Sequence, residues 1–193
     1  MQMVPREQFL PTVRMHITGP LEMLLEEAIT EAAVTFCRES ELITLDRLLP
    51  SASAGSLEVV CNVDGVTSCN VLHLTGADGV PLDSGRDYFA ISANELSILT
   101  DLSNVRVWYV AAPVKGAKAL PAQLYHEHSE AIAHGVAALL YAQPDRPWSD
   151  PKRANYHRSE FVEGWRRAGR FRKQHSAPTQ VEYYNPPRKH SFF

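Results

Sequence analysis

The sequence predicts an α+β fold: a three-helix bundle that carries an inserted antiparallel β-rich subdomain and ends in an extended C-terminal arm. Three observations predict it. Apolar residues recur at three- and four-residue spacing through about 19–40, 121–143 and 151–174, the period of helices with one buried face. Between the first two, from about 41 to 113, short β-branched and aromatic runs alternate with Gly, Asn, Asp, Ser and Pro. At the end, Pro186 and Pro187 stand side by side, which neither a helix nor a central strand accepts. The division that follows is 1–40 with 114–174 for the helical bundle, 41–113 for the β-rich insertion and 175–193 for the arm.

The first helix reads from "PLEMLLEEAITEAAVTFCRES", where Pro20 suits a first helical position and Glu22, Glu26 and Glu27 favour the positive end of the helix dipole. Leu21, Leu24, Leu25, Ala28, Ala32 and Phe36 form its buried face. In the insertion, the Asp78-Gly79 and Ser84-Gly85 pairs are turn signals, so sequential antiparallel hairpins are the simplest topology. "VRVWYV" alternates as a half-buried strand, and Trp108 and His73 are expected in the sheet core. Helical texture resumes at Pro121, with Leu124, His128, Ile132, Gly135, Val136 and Leu139 on one side, and stops at Gln143-Pro144. "PDRPWSDP" then makes a stiff corner. Asp150, ahead of Pro151, is the expected cap of a third helix with Ala154, Phe161, Trp165 and Ala168 inward. Trp148 and Trp165 are expected to fix the corner and that helix against the bundle.

A composition 45% hydrophobic and 21% charged over 193 residues is that of an ordinary globular protein with a sizeable core. No apolar run approaches the roughly 18 residues of a membrane span, and "MQMVPREQF" lacks the order of a signal peptide, so the expected compartment is the cytosol. Cys37, Cys61 and Cys69 show no CxxC spacing and cannot all pair, which points to reduced thiols in the core. The net charge of −3 conceals a split. Residues 151–193 hold ten Lys/Arg against three Asp/Glu, and residues 1–150 hold nine against nineteen. Opposite signs at the two ends suit head-to-tail assembly or a charged partner.

Chemistry is harder to find. "YHEHSEAIAHG" gathers His126, His128 and His134 with Glu127 and Glu130, which invites a metal-dependent enzyme as one reading. Two histidine ligands on one helical face need an i, i+4 separation, and none of these pairs has it. Solvated or capping histidines are the commoner outcome. No GxSxG, Walker loop or GxGxxG is present, and the cysteines sit in apolar contexts. "WRRAGRFRK" mixes Arg with aromatics, so a DNA-binding module using this basic helix is a second alternative; an amphipathic helix with a wet arginine face has the same pattern. The expectation is therefore no catalytic residue, no metal ligand and no cofactor.

The arm "VEYYNPPRKHSFF" concentrates Tyr183, Tyr184, Pro186, Pro187, Arg188, Phe192 and Phe193 in an extended segment. That much exposed aromatic surface calls for a cover, either the parent domain or a partner.

The order of segments resembles the head-to-tail adaptor (connector, neck) proteins of tailed bacteriophages. The resemblance rests on the opening "LPTVRMHITGPLEMLLEEAITEAAVTFCRES", the hairpin stretch "GVPLDSGRDYFAIS" and, above all, "LYHEHSEAIAHGVAALLYAQPDRPWSDPKRANYHRSEFVEGWRRA", and it spans most of the chain. It implies a structural, non-catalytic virion protein, made in the host cytoplasm, that forms a ring, by resemblance a dodecamer, under the portal. Such a ring extends the DNA exit channel without sequence-specific DNA contact and docks a downstream tail or nozzle protein. It also implies that the arm binds the portal protein. The charge split adds candidates for contacts between ring subunits: Glu22, Glu26 and Glu27 on one side, Arg166, Arg167, Arg170 and Arg172 on the other.

Overall fold

In the computed structural model, residues 1–175 are described; the arm residues Tyr183, Tyr184, Pro186, Pro187, Arg188, Phe192 and Phe193 lie outside them. The chain is α+β. Its elements run β1 (Met3–Pro5), a 3-10 turn (Arg6–Phe9), α1 (Leu10–His16), α2 (Glu22–Ser40), β2 (Thr44–Ala52), β3 (Leu57–Val59), β4 (Val66–Thr75), β5 (Tyr88–Ser92), β6 (Glu95–Ile98), β7 (Leu102–Pro113), β8 (Ala119–Pro121), α3 (Ala122–Tyr141) and α4 (Pro151–His175).

α2 buries Leu25, Ala28, Ile29, Ala32, Ala33, Phe36 and Cys37 against α3, α4 and β7. It starts later than Pro20 suggests, because Leu21 is extended and acts as the cap, which puts the proline ahead of the helix. It ends at Glu41, whose N–H still reaches the Cys37 carbonyl and whose left-handed φ of 51° then turns the chain out of the helix. α3 and α4 pack as a close antiparallel pair through small residues: a Cβ on Gly164 would lie 2.7 Å from the Ala131 Cβ. Asp150 caps α4 as expected, accepting from the N–H groups of Lys152 (3.0 Å) and Arg153 (3.1 Å). Trp165 packs edge-on to Phe161, and Trp148 is half-buried beside Gly19.

The first eighteen residues hold structure that periodicity does not announce. α1 is seven residues long, under two turns, too short for a repeating face. Phe9, Val13 and Ile17 are nonetheless fully buried, with Phe9 edge-on to Tyr125 of α3. β1 pairs antiparallel with β8, so the N-terminus is tied to the strand that leads into α3.

The insertion does not form sequential hairpins throughout. Its larger sheet has the order β2-β7-β4, with β7 central and antiparallel to both neighbours. β7 takes the middle because it buries Val105, Val107, Tyr109, Val110, Ala111 and Ala112, whereas β2 alternates between covered and exposed positions. A second sheet, β3-β6-β5, keeps one predicted hairpin between β5 and β6. Gly79 and Gly85 adopt the positive φ that their turns require. Trp108 and His73 are not in the core. They register with each other across β7 and β4, stack at 5.8 Å and are half-buried on the face opposite Val107 and Tyr109.

Candidate functional site: a sheet face, a charged cleft and a histidine cluster

Among the described residues, the small β3-β6-β5 sheet is covered on one side only. Leu96, Ile98 and Tyr88 face the core. The alternate positions face outward: Leu57 and Phe89 both stand opposite Ser97, and Val59 stands opposite Glu95. Leu57 is 65% exposed, Phe89 56% and Val59 46%; Ile91, at the irregularity between Ala90 and Ser92, is 52% exposed. Single exposed hydrophobics are ordinary, but four on one three-stranded sheet make this face a candidate contact surface.

The candidate charges divide into two groups. Glu22, Glu27, Arg166, Arg167 and Arg170 are exposed. Arg166 meets Glu163 one turn back at 2.9 Å, in a surface pair of little energetic weight. Glu26 and Arg172 are used inside the chain. Glu26 accepts two hydrogen bonds from Arg6, at 2.7 and 3.2 Å, with both side chains largely covered. Arg172 pairs with Glu41 and so joins the end of α4 to the end of α2. Beside this pair lies a cleft of about 500 Å³ that includes Arg38, Trp165, Arg166, Arg170 and Lys173, with Glu39 and Glu41 also on its wall.

The three histidines of α3 go to three different surroundings. His126 is exposed near Pro121 and Gln123. His128 lies with its ring 5.0 Å from Phe36, and burial pushes its pKa down, with Glu127 opposing. His134 alone turns toward other histidines, and these come from distant parts of the chain. Its Nδ1 is 2.8 Å from Nδ1 of His157 on α4, and its ring is 4.5 Å from that of His16 at the end of α1. Glu130, one turn before His134, approaches Nε2 of His16 at 2.8 Å and Nε2 of His134 at 3.8 Å.

The cluster is held from behind. Tyr141 donates its hydroxyl to the His16 carbonyl at 2.9 Å and stacks its ring on His157 at 5.6 Å. Arg153 donates to the same hydroxyl at 3.2 Å. Burial, and then the neighbouring His134, His16 and Arg153 charges, push His157 down to about 4. His134 is lowered by burial and by His16, with Glu130 and Glu160 opposing. Sequence reasoning named His134 but missed His16 and His157. His16 stands 114 positions before Glu130, and no local spacing could have linked them.

Burial raises the thiol of Cys37 far above its usual range and raises that of Cys69 as well, which makes both poor nucleophiles. No helix among the described residues is long and apolar enough to cross a membrane. No protein-family model matches the sequence, and the comparison with curated proteins finds no match.

Proposed function

We propose that this chain is a head-to-tail adaptor of a tailed bacteriophage, a structural virion protein that assembles as a ring under the portal, lengthens the DNA exit channel and docks the tail. The observation that carries the reading is the outward face of the small sheet, where Leu57, Val59, Phe89 and Ile91 leave apolar surface uncovered on a subdomain inserted between helices. A ring subunit needs such a surface, because screened charges on α2 and α4 set orientation while apolar contact supplies affinity. Glu22 and Glu27 on one side and Arg166, Arg167 and Arg170 on the other remain exposed for that orienting role. In this reading the aromatic, proline-stiffened arm is the portal anchor: proline has already restricted its free state, so ordering it on the portal costs less entropy.

The test is sedimentation and native mass measurement of the full chain, alone and mixed with a portal ring, beside a chain lacking residues 178–193. The reading predicts a defined ring on the portal for the full chain. The shortened chain should keep its melting temperature and fail to co-sediment. A full chain that neither self-associates nor joins the portal overturns the function; a shortened chain that still binds overturns the role of the arm.

A further inference from the structure

We propose that His16, His134 and His157 bind one divalent transition-metal ion of the zinc class, which staples α1 to the α3–α4 pair. One ring nitrogen from each lies within 4.8 Å of the others, and the three residues come from three different helices. Three imidazoles with a carboxylate at the rim form a nitrogen-rich donor set that suits zinc, cobalt, nickel or copper and not the oxygen-seeking magnesium or calcium.

The spacing is close to what an ion needs. Ligand nitrogens about 2.0 Å from a tetrahedral zinc stand about 3.3 Å from one another. The two Nδ1 atoms of His134 and His157 are 2.8 Å apart, so one of them holds a proton for the other. Binding an ion there moves that proton, by way of solvent, to Nε2 of the same ring, so that both rings ligate as neutral imidazoles, and opens the pair by about 0.5 Å, well within side-chain freedom. His157 is 6% exposed and His16 and His134 are largely covered, while Glu130 is mostly exposed at the open side. The cluster is thus sheltered yet has an entry path.

Its surroundings resemble the outer layer of metal sites, where carboxylates and carbonyls fix the ligand rings. Glu130 reaches the Nε2 atoms of both His16 and His134, and Tyr141 holds the His16 backbone and the plane of His157 together. α1 spans seven residues, and an ion shared with α3 and α4 would hold its end in place.

The experiment uses tag-free full-length chain, stripped with chelator and titrated with zinc chloride by calorimetry and with cobalt(II) by visible absorption, at about pH 7.5 where imidazole is neutral. We expect one equivalent bound with a Kd of about 1 µM or tighter, an intense cobalt band of tetrahedral type and a raised melting temperature, with magnesium inert. His157→Ala should abolish the cobalt band. Because His157 is buried, His16→Ala is the second variant; it should keep the metal-free melting temperature within a few degrees and weaken zinc at least ten-fold. Glu130→Gln should weaken it by about 10–100-fold. Binding no tighter than about 100 µM overturns the proposal. So does one-equivalent binding of unchanged affinity in His16→Ala, which would place the ion on other histidines such as His126 or His175.

Discussion

Gly135 on α3 faces the ring of Phe161 on α4 so closely that a Cβ there would lie 2.8 Å from Phe161 Cε2 and about as close to two more ring atoms. The glycine is helical and not in the left-handed region, so its role is steric: it lets the two helices approach around an aromatic ring. Gly135→Ala gains about 1 kcal/mol of helix propensity but overpacks the contact by about 1–3 kcal/mol. The expected result is a net loss of up to about 2 kcal/mol in urea titration, with an unchanged m-value. The partner test is Gly164→Ala, whose methyl would meet Ala131; adding Ala131→Gly should restore part of the loss, and a double-mutant cycle reads the coupling.

Glu26 and Glu22 lie one turn apart on α2 and should behave differently. Glu26→Ala leaves the largely covered Arg6 guanidinium without its carboxylate and should destabilise the fold by about 1–3 kcal/mol. Glu22→Ala, at an exposed position, should stay within about 0.5 kcal/mol. Equal losses in thermal and denaturant unfolding would mean that the Arg6 pair is not made in solution.

The pH dependence of stability has a definite sign at His128. Burial against Phe36 lowers its folded pKa, so as pH falls through the unfolded value of about 6.5 the unfolded chain takes up a proton first. The contribution of the neutral ring is therefore full above that value and is lost as pH falls toward the lower folded value. His134 and His157 are shifted in the same direction, so the wild type should weaken progressively in this window. His128→Leu removes one of these losses. In guanidinium titrations at about pH 7.5 and 5, the variant should lose less stability than the wild type. Equal losses would place the ring in solvent.

The outward sheet face should affect assembly and not folding. Phe89→Ser combined with Leu57→Ser should leave the monomer within about 0.5 kcal/mol of wild type, since neither side chain is buried. Ring formation on the portal should weaken by at least about thirty-fold if these residues anchor the contact. Denaturant titration measures the first quantity and sedimentation across a concentration series the second, and unchanged association would move the interface elsewhere.

Salt separates the charged contribution. Exposed pairs are screened over about 10 Å at 0.1 M, so raising salt from about 50 to 500 mM should loosen the wild-type oligomer. Arg166→Glu with Arg170→Glu should loosen it already at low salt without altering the melting temperature, because both side chains are exposed. An oligomer indifferent to both changes would show that these arginines do not meet a neighbouring subunit.

The sequence by itself determined the elements whose cause is local. Most of the buried faces of α2, α3 and α4 follow from side chains repeating with the helical period, Leu21 and Leu139 being the exposed exceptions; the α4 start follows from the Asp150 carboxylate accepting from the first N–H groups, and the turns at Gly79 and Gly85 from glycine's access to positive φ. Only the tertiary structure decided what depends on closing long stretches of chain. It made β7 the centre of its sheet, a choice set by which strand could bury both faces along its second half, residues 109–113. It turned Glu26 inward to Arg6 and Arg172 to Glu41, though in sequence they look like the free charges beside them. It also folded α1, too short to show a period, so that His16 meets His134 and His157. Each of these depends on which surfaces remain to be covered once the local elements have formed, and a pattern along the chain holds no record of that.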